Sequence, residues 1–195
     1  MAGTGEGRVR ADAARNRERI LAVGAAELAR DPHATLEDVV RATGLARATV
    51  YRHVPSRTAL VDAVVDRALA VAADLLARGR PADDDPEVAL ARLTRAACSV
   101  GPEAIVLIGL LVSGSSTVPD LATRPDAVRI DRLVHDLVRR GQAAGVLRDD
   151  VPAPWLADQW FALLQSAVVH PPADGRDPAD LVYAVFRDGA CGPSA

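Results

Sequence analysis

The densest set of side chains suited to a polyanion in this 195-residue sequence lies between Arg47 and Arg57. Arg47 can hydrogen-bond a guanine edge or a phosphate, and Thr49 can meet a phosphate or a thymine methyl group. Tyr51, Arg52 and His53 carry donors suited to the sugar–phosphate backbone. Val50 and Val54 are four residues apart, so on a helix they share a face while Arg47, Thr49, Tyr51 and Arg52 fan away from it. Residues 41–60 contain Arg41, Arg47, Arg52 and Arg57 and no acid. Charge alone leaves a solvated basic face equally open, so spacing has to decide. Catalytic chemistry has weaker claims. His135-Asp136, His170, Ser113, Ser115, Ser116 and Asp149-Asp150 are the candidates, and no G-x-S-x-G, P-loop, dinucleotide glycine fingerprint or H-E-x-x-H accompanies them. Cys98 and Cys191 match no metal spacing. No catalytic residue, metal or cofactor is expected.

The elements around the basic stretch are helical. Ile20, Leu21, Ala25 and Leu28 recur at helical spacing within 11–30, and Asp31-Pro32 stops that helix. Thr35 is an N-cap candidate with Asp38 three residues on, close to a capping box, and it opens a short helix bearing Leu36, Val39 and Val40. Thr43-Gly44-Leu45 breaks this helix, with Gly44 free to take positive φ. A second short helix follows from Arg47 to Val54. Pro55-Ser56 ends it, and Ser56 can cap a long amphipathic helix carrying Leu60, Val61, Val64, Val65, Leu69 and Leu76 as far as about Gly79. Two short helices joined by a glycine turn and buttressed by the helix before them describe a helix-turn-helix, whose second helix enters the major groove.

Downstream, a proline-bounded polar loop at 80–86 precedes apolar periodic stretches near 87–100 and 103–113. An irregular connection spans 113–125. Ile130, Leu133, Val134, Leu137 and Val138 form a stripe. Leu156, Trp160, Leu163, Leu164, Ala167 and Val168 mark the next helix, and Leu181, Val182, Val185 and Phe186 the last. The fold class expected is all-α: a three-helix helix-turn-helix domain (15–60) after a flexible basic arm (1–14), joined by a long helix to a helical domain (61–195).

Composition is consistent with this. The chain has 23 Arg and no Lys, 26 acids and 38 Ala, a bias expected of a GC-rich genome. The formal charge of −3 hides +3 over residues 1–60 (10 Arg, 7 acids) and −6 over 61–195 (13 Arg, 19 acids). A basic segment on an acidic body suits a local polyanion-binding surface. The longest apolar run, 104–112, is too short to cross a bilayer, and no apolar signal segment opens the chain. A cytoplasmic protein with reduced thiols is expected.

Residues 16–65 resemble the DNA-binding domain of TetR (tetracycline-repressor-like) transcriptional regulators. The likeness runs through Ile20-Leu21, Thr35-Leu36-Glu37-Asp38-Val39 and Thr43-Gly44-Leu45. It is densest from Ala48 to Leu60, where Thr49, Tyr51, Pro55-Ser56-Arg57 and Leu60 stand in register. Three positions depart from the family pattern: Ala46 for a common serine, Val54 for an aromatic, and Arg57 for a lysine. The first leaves the recognition helix without its usual side-chain cap.

The resemblance implies a homodimeric repressor that binds a palindromic double-stranded DNA operator and is released by an apolar small-molecule effector. Residues expected at DNA are Thr35, Arg47, Ala48, Thr49, Tyr51, Arg52, His53 and Arg57. Arg8, Arg10, Arg15, Arg17 and Arg19 form either a DNA-reaching arm or an ordinary basic tail. Effector contacts are expected from Leu107, Leu111, Val134, His135, Val138, Trp160 and Leu164. Dimer contacts are expected from Trp155, Leu163, Ala167, Leu181, Val185 and Phe186. Two other readings stay open: a TetR-like binder without an effector, and a helical interaction module that does not bind DNA.

Overall fold

The computed structural model describes residues 3–78, 85–99, 101 and 121–190. The apolar stretch at 103–113 and most of the 113–125 connection lie outside them. Among the described residues all regular structure is helical: α1 (Gly3–Arg30), α2 (Leu36–Thr43), α3 (Arg47–His53), α4 (Arg57–Arg78), α5 (Pro86–Cys98), a single 3-10 turn (Leu121–Thr123), α6 (Pro125–Ala143), α7 (Ala153–Val169) and α8 (Pro178–Ala190). None of these helices is long and apolar enough to cross a membrane. The all-α expectation holds.

The described residues divide into two compact units at Ala68, not at residue 60. Val61, Val64, Val65 and Ala68 of α4 are all buried, which extends the first unit's core past the expected boundary. The residues read as a flexible arm form, from Gly3, the first turns of α1. Adding turns to an existing helix costs no new nucleation, and Ala, Arg and the Asp12–Arg15 ion pair favour it.

In the first unit, Ile20, Leu21, Ala25 and Leu28 of α1 meet a core shared with Leu36 and Val39 of α2, Val50 and Val54 at α3, and Leu60 of α4, each at most 6% exposed. Gly24 of α1 leaves room for the Leu60 side chain of α4, since a Cβ there would lie 2.7 Å from Leu60 Cδ1. Thr35 caps α2 as expected. The Asp38 amide donates to Thr35 Oγ1 at 3.3 Å, and the Thr35 amide donates back to Asp38 Oδ2 at 2.9 Å. Ser56 caps α4 by accepting from the Ala59 amide at 3.1 Å.

Among the described residues the second unit takes Leu69 onward. Leu90 and Leu93 of α5, Ile130, Val134, Leu137 and Val138 of α6, Leu156 and Trp160 of α7, and Val182 and Phe186 of α8 are buried together with small alanines. Trp160 Nε1 donates to Thr94 Oγ1 at 2.9 Å, and that hydroxyl donates to the Leu90 carbonyl at 2.9 Å, so both buried polar groups are satisfied.

The α2 cap has a pH signature. Donation by Thr35, first from its hydroxyl and then from its amide, with Arg41 nearby, holds the Asp38 carboxyl at about 2 against an ordinary 3.8. Thr35→Ala should destabilise the protein by about 1 kcal/mol near neutral pH, read as a lower denaturant midpoint at unchanged slope. Because the folded-state value is depressed, the Asp38 contribution is full above 3.8 and is lost as pH falls through about 2. The gap between wild type and variant should therefore narrow in acid. A gap that stays constant from neutral to strongly acidic pH would contradict this account of the cap.

Candidate nucleic-acid interface

Only seven residues make up α3, too few for a helix stable by its own hydrogen bonds. Its N-cap, Ala46, offers no side-chain acceptor, as expected from the sequence. The Ala46 carbonyl instead accepts from the amides of Thr49 (2.8 Å) and Val50 (3.2 Å). The turn into the helix is closed by Gly44 at φ +65° and by Thr43, whose hydroxyl donates to the Val40 carbonyl at 3.0 Å and accepts from the Leu45 amide at 3.3 Å. Val50 and Val54 are 0% and 1% exposed, so the helix is fastened through its inner face. At its far end Arg17 Nη1 of α1 donates to the His53 carbonyl at 3.5 Å. A cation there suits the negative end of the helix dipole.

The opposite face is polar. Arg47, Ala48 and Arg52 are exposed, and Thr49 and Tyr51 are half-buried. Arg47 is not a loose side chain. Its Nη2 lies 2.9 Å from Glu37 Oε1 of α2, and its guanidinium carbon sits 4.9 Å above the centre of the Tyr51 ring. The Tyr51 hydroxyl donates to the same Glu37 oxygen at 2.6 Å and lies 3.4 Å from Arg47 Nη2. Donation to Glu37 raises the Tyr51 phenol above its ordinary 10.0, with desolvation adding to the rise.

The remaining residues expected at DNA are placed differently. Thr35 is exposed, but its hydroxyl is taken by Asp38 at 2.6 Å. His53 is half-buried, and its Nε2 is buried without a hydrogen-bond partner among the described residues. Arg57 turns back onto the α1–α2 loop, donating from Nε to the Ala34 carbonyl at 3.1 Å and from Nη2 to the Pro32 carbonyl. It therefore ties the start of α4 to that loop. Arg15 pairs with Asp12, and Arg17 caps α3.

Two roles were not read from the sequence: Glu37 as the partner of Arg47 and Tyr51, and Arg17, expected in an arm or basic tail, as the cap of α3. Glu37 reads as a first-turn acid of α2, ten residues from Arg47. Only the crossing of α2 and α3 brings its carboxylate to that arginine.

The residues expected at an effector lie in several environments. Val134 and Val138 are 2% and 1% exposed and pack in the core of the second unit, as does Trp160. Their helical period points them inward with Ile130 and Leu137. Leu164 is half-buried, and Leu107 and Leu111 lie outside the described residues. His135 Nδ1 is 2.8 Å from the Asp131 carbonyl, beside an open groove of about 300 Å³ that also carries Arg132, Asp136 and Arg139. The lining of that groove mixes these charged groups with Val128 and Pro154.

Of the expected dimer residues, Trp155 and Val185 are 53% and 49% exposed, and Leu163 and Leu181 are half-buried. Ala167 and Phe186 instead face the core, at 8% and 3% exposure. The reason is that α8 packs on both α5 and α7, so Val182 and Phe186, one turn apart, turn inward. Burial, and then the nearby Asp177 charge, push the half-buried Cys98 thiol up to about 11, so it is not an activated nucleophile. No group of three or more His, Cys, Asp or Glu among the described residues could hold a metal ion.

The Tyr51–Glu37 bond can be read spectroscopically. With Tyr183→Phe as background, Tyr51 should ionise above the ordinary tyrosine range in an ultraviolet pH titration, and Glu37→Gln should lower its midpoint. An unchanged midpoint would show that the carboxylate does not hold the phenol.

A family model described as bacterial regulatory proteins, tetR family, matches residues 20–64. Over 172 residues, 88% of this chain and 87% of the relative, the sequence is 29% identical to the HTH-type transcriptional repressor LfrR of Mycolicibacterium smegmatis. The fold is similar to that of LfrR solved in complex with proflavine, with a TM-score of 0.73, 23% identity, and coverage of 92% of this chain and 98% of that one. It is also similar to AibR in complex with isovaleryl coenzyme A and operator DNA, with a TM-score of 0.72, 14% identity, and coverage of 92% and 100%. At these identities the solved structures speak for the fold. The matched segment runs from the core of α1 through α3 into α4, which is the helix-turn-helix built above, and over that segment the chain is similar to the tetR family of bacterial regulatory proteins.

Proposed function

We propose that the protein is a repressor that binds a palindromic operator as a homodimer and leaves it when a small molecule occupies its helical second unit. The observation that carries this is the outer face of α3. Arg47, Tyr51 and Arg52 share a short helix fastened from behind by Val50 and Val54, in a stretch without acids. A rigid element presenting planar cations and a phenol is what base and phosphate recognition requires. The reading is of a regulator acting in the cytoplasm rather than an enzyme.

In this reading Arg47 reads a base edge over the Tyr51 ring, Arg52 meets the backbone, and Thr49 completes the row. Trp155, Leu163, Leu181 and Val185 supply the apolar surface for the second copy, since large apolar side chains belong at the centre of an interface. Two copies place two recognition helices on successive half-sites, and the spacing between them governs affinity. An effector that favours a different spacing must bind the operator-bound protein more weakly, by the same factor by which it weakens DNA binding. The relatives support such a mechanism: one was solved with a small molecule, the other with a small molecule and its operator.

Selection of bound fragments from the source genome should return a palindrome. Arg52→Ala should weaken binding about equally on all sequences and reduce the salt slope by about 1. Arg47→Ala should cost about 1–3 kcal/mol on the operator and relax preference at one position of each half-site. Selection that returns no palindrome, or variants that bind like wild type, would refute DNA recognition by α3. Separately, Trp155→Glu should give a folded monomer in sedimentation equilibrium, and a dimer that persists would move the interface elsewhere.

A further inference from the structure

The contact between Glu37 and Arg47 sets an acid beside an exposed cation on the outer face of α3. An exposed ion pair is worth little for stability, so its interest lies in what it does to Arg47. The guanidinium is held on three sides: by the Glu37 carboxylate at 2.9 Å, by the Tyr51 hydroxyl at 3.4 Å and by the Tyr51 ring beneath it at 4.9 Å. Both polar contacts use Nη2, which leaves Nη1 and Nε for an outside acceptor. Tyr51 in turn is fixed to the same carboxylate oxygen at 2.6 Å, so one acid organises both side chains. Arg52, on the same helix, forms no ion pair among the described residues.

From this we infer that Glu37 is a specificity-determining positioning residue, which fixes Arg47 from α2 as a reader of a guanine edge and withholds it from phosphates. The inference rests on the DNA-binding reading above and adds a residue to it. Two physical effects act together. Arginine loses much rotamer freedom when it binds, and a side chain already held over Tyr51 has less left to lose on the correct base. A phosphate must compete with the carboxylate for the guanidinium, so a sequence that offers only phosphates gains less from Arg47. The carboxylate also repels the backbone wherever no guanine is there to reward Arg47, which is discrimination by penalty on the wrong partner.

The test uses the full-length protein, the selected operator and a scrambled duplex of equal length. Glu37→Gln keeps the side-chain length and an acceptor oxygen for Tyr51 but removes the charge. It should tighten binding to the scrambled duplex by about two- to fivefold, the equivalent of one exposed ion pair. Operator affinity should stay the same or fall, so the ratio of the two drops. Repeated selection with the variant should show relaxed preference at the guanine that Arg47→Ala also relaxes. In the Arg47→Ala background the same Glu37→Gln change should leave the ratio unaltered. Thermal melts of each variant establish that α2, which has Glu37 in its first turn, is still folded. If Glu37→Gln tightens both duplexes equally in both backgrounds, Glu37 is only one negative charge among others and the inference is overturned. If wild type itself does not distinguish operator from scrambled duplex, the inference falls together with the DNA-binding reading. That outcome differs from a selective wild type whose ratio survives Glu37→Gln, which removes the inference alone.

Discussion

Everything the first unit offers to a partner depends on burial of two valines. A seven-residue helix with no side-chain N-cap has no stability of its own, and α3 exists because Val50 and Val54 are drawn into a core built by α1, α2 and the start of α4. The same burial fixes rotation about the helix axis, so one choice of inner face settles which side chains look outward. A polar residue at either valine would disorder the outer face without touching it.

Around that anchor the polar contacts do local work. Gly44 and the Thr43 hydroxyl set the angle between α2 and α3, and Arg17 closes the far end of α3. Arg57 ties the start of α4 to the loop before α2. Arginine suits these tasks because its planar fork can satisfy several carbonyls or carboxylates while its stem covers apolar surface. The lack of lysine, a compositional bias in origin, thus has a structural consequence. The first unit's cations divide between those that brace the fold and those that face outward.

The second unit follows a different logic. Its interior is made of alanine, valine, leucine and isoleucine around two aromatics, Phe186 and Trp160, and the Trp160 indole nitrogen needs Thr94 to be buried at all. Where sequence spacing marks a single apolar stripe, the folded unit must still choose which of those residues face its own core and which remain for a second copy or a ligand. Phe186 and Ala167 went to the core, whereas Trp155 and Val185 remained outside.

Local signals were therefore legible where the chemistry is short-ranged. The Thr35–Asp38 box, the Ser56 cap and the inward pair Val50 and Val54 follow from spacings of three or four residues, the positive φ of Gly44 follows from its residue type and the uncapped Ala46 from the comparison with the resembling family, and the structure has each of them. The helical content and the helix-turn-helix were readable for the same reason. Contacts across sequence separation were not. Nothing local says that Glu37 meets Arg47 and Tyr51, that Arg57 bends back to the carbonyls of Pro32 and Ala34, or that Arg17 reaches His53. Periodicity specifies that a helix has an apolar side. Which neighbour takes that side, and which charge then faces which, is decided only when helices from distant parts of the chain cross.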